Sequence, residues 1–376
     1  LSSHAFSAVP AALAERVRAM QAEDADVVKV AVMPARLADC LRLRAATAMD
    51  RPHVAIAMGS KGHITRLCPW LFGSCWTYGG STAPGQYSPR DLVDVFRVQH
   101  GSPSTSVYAI TGAPLAHSAS PAMHNAAFRA RGLDAVYVPL ETDDADELLT
   151  VADAFGVTGV SVTAPLKPAL FERVVEADEL SRRIGAVNTL RRRADGWEGR
   201  NYDAGGFLAP LLKRGHVLAG CRAVVLGAGG TARTVTWALT RQGADVEVSA
   251  RRQDRAEAVA AEFGARAVEW PPAPGWDLLV NTTPVGTWPA MTSAPLDRNL
   301  VQGRTVYDLI YNPQETMLLE WAREAGAETI GGLEMLVGQA CHQFEWWTGG
   351  AAPEGVMTEA AGAFIANLAK TRSRES

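Results

Sequence analysis

Lys167 and Asp203 are the residues on which chemistry at a carbonyl could turn. Lys167 follows GVSVTAPL, a strand signal running through a proline, so it stands on a turn at a strand's end, where open α/β sheets carry functional residues. Asp203 lies in GRNYDAGGF, a polar turn between two strand-like runs. An ammonium can hand a proton to an oxygen that is gaining charge, while a carboxylate orients it and accepts its hydrogen bonds. Taken as isolated residues, the same two types more often make a surface ion pair. Ser118 and Ser120 come just before Pro121, where a helix starts. Two hydroxyls there can hold a carboxylate, or one of them merely caps the helix. Lys29 lies in VVKVAVMP, where two-residue alternation puts it on one face with Val27, Ala31 and Met33. An amine on such a face is desolvated toward its neutral form, a candidate Schiff-base nucleophile; a paired or snorkelling lysine is the plainer alternative.

A cofactor cradle supplies the setting for this chemistry. Residues 223–226 form an apolar strand, Gly227-Ala228-Gly229-Gly230 a turn, residues 231–241 a helix and residues 244–250 a second strand. Glycines let the backbone approach a pyrophosphate at the helix N-terminus, and Ala232 takes the third small position of the dinucleotide fingerprint. Arg251, Arg252 and Arg255 follow the second strand, where such folds read the adenosine ribose, and three guanidiniums suit the 2′-phosphate of NADP. Glu247 lies about 20 residues past Gly227, which keeps NAD open, although alternation with Val246 and Val248 places it on the outward face. A structural glycine turn and a solvated basic helix start are the alternatives without a ligand.

Around these stretches, 376 residues that are 47% hydrophobic suffice for two or three cored domains, and a net charge of −4 argues against a nucleic-acid partner. Five cysteines without a C-x-x-C pair suggest neither a disulfide framework nor a zinc site, and fit a reducing compartment such as the cytoplasm. No apolar run is long enough for a membrane span. Leu1 stands in place of a methionine and LSSHAF reads as the end of a strand, so a fragment or processed piece is expected. Residues 1–100 alternate strand and helix signals as a (β/α) segment, with strands at 27–33 and 53–58 and helices at 11–21 and 38–48. The Pro/Ser/Gly-rich residues 99–106 mark a domain boundary, and a new strand opens at Val107. NTTPVGTWP forms a turn small enough to approach a flat ring, Tyr311 comes at a strand end, and LEMLVGQACHQFEWW makes a buried helix in which Gln339 wants a partner. The tail TRSRES should fray.

Two family resemblances add to these readings. Ser-Ser-His-Ala-Phe with Pro10, VKVAVMP, MGSKGHITRL and FGSCWTYGGSTAPGQ resemble the second half of type I 3-dehydroquinate dehydratase. The resemblance implies Lys29 as Schiff-base lysine, His4 as general acid/base, and Arg66 and Gln86 as contacts to 3-dehydroquinate. Ala5 replaces the family's aspartate, Thr82 its serine, and about four strands stand against the eight of a closed barrel. From Tyr108 to Gly349, GAPLAHSASPAMHN, GVSVTAPLK, IGAVNTL, GRNYD, GAGGTAR, NTTPVG, YNPQET and GGLEMLVGQA resemble shikimate dehydrogenase.

That second resemblance implies Lys167 and Asp203 as the catalytic pair, Ser118 and Ser120 as carboxylate ligands, and Thr163, Asn188, Tyr311 and Gln339 around the ring hydroxyls. Together the two resemble the fused dehydratase/dehydrogenases of aromatic amino acid synthesis. The implied architecture is α/β throughout. A partial (β/α) barrel segment (1–100) comes first, then a substrate domain (107–208 with 331–370) and a Rossmann-type NADP-binding domain (209–330), with a C-terminal helix returning to the substrate domain. The implied reaction is NADPH-dependent reduction of 3-dehydroshikimate to shikimate without a metal, with cytoplasm or plastid as the place. Tyr202 occupies a position where the family has threonine, and only Arg251 of its strand-end word stays in register, with Arg255 as the later base. A quinate dehydrogenase using NAD and a non-catalytic quinate or shikimate sensor are the alternatives. An intact Lys167 and Asp203 speak against the sensor.

Overall fold

The computed structural model describes residues 1–372; the last four residues of the tail expected to fray lie outside the described residues. The chain divides into two compact units, Leu1–Asn201 and Tyr202–Ser376. Among the described residues no helix is long and apolar enough to cross a membrane.

The first unit contains two sheets. Strands β1 (Ser2–Ala5), β2 (Val28–Val32) and β3 (His53–Ala57) lie parallel in chain order. They are joined by the helices Leu13–Gln21 and Asp39–Ala46, which turn Leu13, Val17, Met20, Cys40 and Leu43 inward. About four strands were expected from the sequence. The fourth segment makes only an isolated bridge, Ser74 to His53, because the glycines and proline that follow it cannot sustain a ladder. The register sets Ser2 beside Lys29 and His4 beside Ala31, so His4 and Lys29 face the same way as the apolar cluster Ala31, Val54, Ile56 and Met58.

The second sheet comprises β4 (Ser106–Gly112), β5 (Ala135–Glu141), β6 (Val157–Val162), β7 (Glu176–Ala177), β8 (Thr189–Arg193) and β9 (Gly196–Arg200), in the order β5-β4-β6-β8-β9-β7. Its strand order reverses at β4, which has β5 on one side and β6 on the other, so a crevice opens at the carboxyl ends of β4 and β6. One continuous core runs from Val17 and Leu43 beside the first sheet to Val138, Leu148 and Val160 of the second. The boundary read at 99–106 therefore falls inside a single packed unit.

In the second unit, β10 (Arg222–Leu226), β11 (Asp245–Ser249), β12 (Arg266–Val268), β13 (Trp276–Asn281), β14 (Gly303–Asp308) and β15 (Glu328–Gly331) form a parallel sheet. Its order is β12-β11-β10-β13-β14-β15, the doubly wound arrangement with its switch between β10 and β13. The helix Asp203–Lys213 leads into this sheet, and the helix Gly332–Thr348 follows it and packs on Asp203–Lys213.

Candidate active site

In the first unit, Ser118 and Ser120 follow β4, Thr163 and Lys167 follow β6 and Asn188 directly precedes β8, so all five stand at the strand ends where the order reverses. Gly112 ends β4 at φ +133°, and a Cβ there would lie 2.5 Å from Thr163 Cγ2 and 2.7 Å from the Ala164 carbonyl. Only glycine lets the two strand ends close in this way. The Thr163 N–H donates to the Thr111 carbonyl at 2.9 Å, and the Val162 N–H donates to the Asn188 carbonyl at 2.7 Å. Lys167 is the first residue of a short helix, Lys167–Phe171, rather than a residue of an open turn, and its carbonyl accepts from the Val187 N–H at 3.1 Å. The buried Asn188 has its amide oxygen held by the Thr189 hydroxyl at 2.7 Å, which fixes how the amide presents itself.

The serines are not simple caps. The helix Ser120–Ala130 begins at Ser120 itself, with Ala119 at its N-cap making no side-chain bond and Pro121 in its first turn. Ser118 Oγ accepts the Ser120 N–H at 3.3 Å, and the Ser118 N–H donates to the Leu115 carbonyl at 3.0 Å. Beneath them lies the fully buried Tyr137, whose phenol burial pushes well above its usual range while the Ser161 and Ser120 hydroxyls, bonded to it, pull it back. Two hydroxyls, the dipole of a helix start and an ammonium at one sheet edge suit a carboxylate joined to a polar ring.

In the second unit, Asp203 opens the helix Asp203–Lys213, which corrects the turn read between two strands. Its two following glycines are poor helix formers, and tertiary packing decides. A Cβ at Gly206 would lie 2.6 Å from the Gln339 backbone nitrogen and one at Gly338 3.1 Å from the Gly206 carbonyl, so the two helices cross backbone to backbone. Tyr202, one residue ahead of Asp203, stacks on His342 with centroids 5.7 Å apart and meets Trp346 edge-on at 5.9 Å. Gln339 donates through Nε2 to the Leu336 carbonyl at 2.8 Å. Tyr311 follows β14, and burial raises its phenol above the usual value. Gly332 starts the last-but-one helix directly against residues 309–310, since a Cβ there would lie 2.2 Å from the Leu309 carbonyl oxygen.

The cradle turn has the geometry its glycines predict. Gly227 has φ +110°, and a Cβ on it would lie 2.7 Å from Thr282 Oγ1. Gly229 caps the helix Gly230–Arg241, and Cβ positions at Gly229 and Gly230 open onto free space. A cleft of about 750 Å³ is lined by Gly227, Ala228 and Gly229, by Arg251, Arg252 and Arg255, and by Thr282, Thr283 and Trp270. Glycine backbone, a helix N-terminus and three exposed guanidiniums around one cleft fit a phosphorylated dinucleotide. Glu247 does not belong to this cleft and is not outward-facing. It is buried in β11, with Oε2 accepting from Arg222 at 2.9 Å and Oε1 from Arg266 at 2.9 Å, so its charge is already spent on structure.

The dehydratase-like residues are only partly assembled. Lys29 Nζ sits 4.2 Å from the Tyr78 ring centroid, and the buried Arg66 reaches the Tyr78 carbonyl at 3.5 Å. His4 is exposed, stacked on the exposed Phe6 with centroids 5.8 Å apart. The Gln86 amide oxygen accepts from the Thr82 and Ala83 backbone N–H groups at 2.9 and 3.0 Å, closing its own loop.

One organising residue escapes the sequence entirely. Asp308, at the end of β14, is fully buried and accepts from Asn281 Nδ2 at 3.0 Å, the Ile310 N–H at 3.1 Å and Thr316 Oγ1 at 2.7 Å. It ties together the loops that carry Thr282 and Tyr311, and burial pushes its carboxyl up to about 6. A strand that merely ends in one aspartate gives no hint of this.

A doubly wound parallel sheet with a glycine cradle in one unit and a polar strand-end site in the other define a two-part α/β dehydrogenase. Residues 1–103 match the type I 3-dehydroquinase family, 110–190 the shikimate dehydrogenase substrate binding domain and 332–361 the shikimate 5′-dehydrogenase C-terminal domain. A shikimate dehydrogenase (NADP(+)) of an Anaeromyxobacter species is 42% identical over 68% of this chain and 95% of its own length. The chloroplastic bifunctional 3-dehydroquinate dehydratase/shikimate dehydrogenase of Arabidopsis thaliana is 33% identical over 94% of this chain, which spans 64% of that protein's length. The crystal structure of shikimate 5-dehydrogenase from Thermus thermophilus, in complex with NADP(H) and shikimate, superposes with a TM-score of 0.65 at 38% identity, covering 69% of this chain and all of that one. The chain belongs to the shikimate dehydrogenase family and carries ahead of it a partial type I dehydratase segment.

Proposed function

We propose that this chain catalyses NADPH-dependent reduction of 3-dehydroshikimate to shikimate. What supports the proposal is placement along the first unit's sheet: Ser118 and Ser120 follow β4, Thr163 and Lys167 follow β6, and Asn188 pairs through its carbonyl with Val162 at the end of β6. Ser118 and Ser120 take the substrate carboxylate and fix which ring edge faces the chemistry. Thr163, Asn188, Tyr311 and Gln339 hold the ring hydroxyls. Bound at the cradle by the Gly227–Gly230 backbone and by Arg251, Arg252 and Arg255, NADPH supplies the hydride. As the carbonyl carbon gains that hydride its oxygen gains charge, and the Lys167 ammonium delivers the balancing proton, with Asp203 as the carboxylate that orients the ammonium. A protonated amine and hydroxyl donors suffice to polarise one carbonyl. By function we divide the chain into a dehydratase segment (1–100), a substrate domain (107–208 with 331–370) and an NADP domain (209–330).

The test is initial-rate oxidation of shikimate and of quinate with NADP+ and with NAD+. Shikimate with NADP+ should give the highest kcat/KM of the four pairings. Quinate with NAD+ in first place would overturn the assignment of both substrate and cofactor.

A further inference from the structure

The partial dehydratase segment touches the second sheet at a polar junction that none of the roles above uses. Ser60 opens a tight turn, Ser60–Gly62, between β3 and the helix His63–Leu67. That turn is held from several sides. Gly59 adopts φ +74° and donates its N–H to the Pro84 carbonyl at 3.0 Å, Lys61 Nζ donates to the Ala35 carbonyl at 2.8 Å, and a Cβ at Gly62 would lie 2.2 Å from the Ala57 carbonyl oxygen. From this fixed turn the Ser60 hydroxyl donates to Glu141 Oε1 at the end of β5, 81 residues away in sequence. The other oxygen, Glu141 Oε2, accepts the Leu115 N–H at 2.9 Å. The Leu115 carbonyl in turn accepts the Ser118 N–H at 3.0 Å. The route therefore runs Ser60, Glu141, Leu115, Ser118, from the dehydratase segment to the loop of the two serines, with every step a hydrogen bond inside one packed unit.

Leu115 itself is buried, so both of its peptide groups must find partners within the protein. Glu141 supplies the partner for its N–H, and without Ser60 that carboxylate has a second orientation open to it. Flanking contacts hold the two parts in register: Arg36 pairs with Asp144 at 3.2 Å and with Glu147 at 3.1 Å, and the Ala38 N–H donates to Glu147 at 3.0 Å. His63 and Tyr87 adjoin the junction, the Tyr87 hydroxyl lying 3.1 Å from His63 Nδ1.

We propose that the dehydratase segment serves the dehydrogenase reaction, with Ser60 and Glu141 as positioning residues that orient the Ser118 and Ser120 loop toward the substrate carboxylate. The proposal rests on the assignment of those serines as the carboxylate ligands. Ser60→Ala should raise KM for shikimate roughly three- to tenfold, less than the full worth of a hydrogen bond to a charged acceptor because the loss reaches the substrate only through the serine loop, with kcat changed less than about twofold and KM for NADP+ unchanged. Ser60→Thr, which keeps the hydroxyl, should restore KM, and Ser60→Ala together with Glu141→Gln should do little more than Glu141→Gln alone.

The decisive arm compares shikimate with its methyl ester, which lacks the charged carboxylate. The KM effect of Ser60→Ala should shrink to near unity on the ester. Ser118→Ala is measured alongside. If it raises shikimate KM while Ser60→Ala, folded and of native melting temperature, does not, the positioning route is wrong. If Ser118→Ala leaves KM unchanged, the carboxylate assignment itself is wrong. An equal loss on shikimate and ester would show that Ser60 serves stability alone and would overturn the proposal.

Discussion

Gly206→Ala tests whether the crossing of the helices Asp203–Lys213 and Gly332–Thr348 sets the position of Gln339. A Cβ at residue 206 would lie 2.6 Å from the Gln339 nitrogen and 2.7 Å from its Cβ, and backbone atoms cannot swing away as a flexible side chain can. Restoring an ordinary contact of about 3.5 Å means moving the second helix by roughly 0.9 Å. Overpacking of this kind costs about 1–3 kcal/mol, while replacing a helical glycine by alanine returns about 1 kcal/mol, so the net loss of stability should be only about 0–2 kcal/mol. Activity is the sharper readout. A displacement near 1 Å in a substrate-positioning group can cost up to about a hundredfold, so kcat/KM for shikimate should fall at least tenfold, with KM for NADP+ unchanged. Gly205→Ala is the control, because a Cβ there would meet only the movable His342 ring at 3.1 Å. Steady-state kinetics on both variants, with calorimetric melting, make the comparison. A Gly206→Ala enzyme with native kcat/KM would show that Gln339 is no substrate ligand or that the crossing has slack the distances deny.

Lys167→Ala should lower kcat by about 10²–10⁴ while shikimate still binds, and Asp203→Asn should lower it as well; unchanged turnover in stopped assays would remove the proton-donor assignment. Arg251→Ala with Arg252→Ala should raise KM for NADP+ roughly tenfold or more and leave KM for NAD+ nearly unchanged, since only the former carries the phosphate these exposed groups would pair with. Asp308 has its folded pKa raised from 3.8 to about 6, so the folded protein holds the proton more tightly than the unfolded chain. Its contribution is complete below about pH 3.8 and is lost as pH rises through about 6, a swing on the order of 3 kcal/mol; urea melts of Asp308→Asn should lack it, and a slope matching the parent's would count against the burial argument. Borohydride treatment with 3-dehydroquinate, read by peptide mass analysis, should leave Lys29 essentially unlabelled, because His4 stands exposed and three strands enclose no dry site; efficient labelling would show the segment to be competent.

The cradle was legible because its signal is local. A turn at φ +110° with a neighbour 2.7 Å from its missing Cβ admits glycine and little else, so Gly227 announces itself. Glu247 was misread for the complementary reason. Alternation tells which face of β11 a side chain takes but not what waits there, and its two arginines come from β10 and from the edge strand β12, 25 and 19 residues away. Asp203 was misread as a turn because Gly205 and Gly206 argue against a helix by propensity. The same glycines are what the second helix requires in order to approach, so the evidence against the helix is the cause of its packing. Asp308 and Glu141 illustrate the remaining limit. Each is a single carboxylate at the end of a strand, and nothing in its sequence context distinguishes it from a solvated strand terminus. A carboxylate whose partners are backbone N–H groups, hydroxyls and a side-chain amide leaves no compensating charge in the sequence. Buried carboxylates paired with arginine can be suspected from composition, whereas hubs built on Asn281, Thr316, Leu115 or Ser60 become visible only when the fold supplies the donors. Because the donors at Glu141 come from both sequence families in the chain, the boundary between those families is where reading each family alone fails.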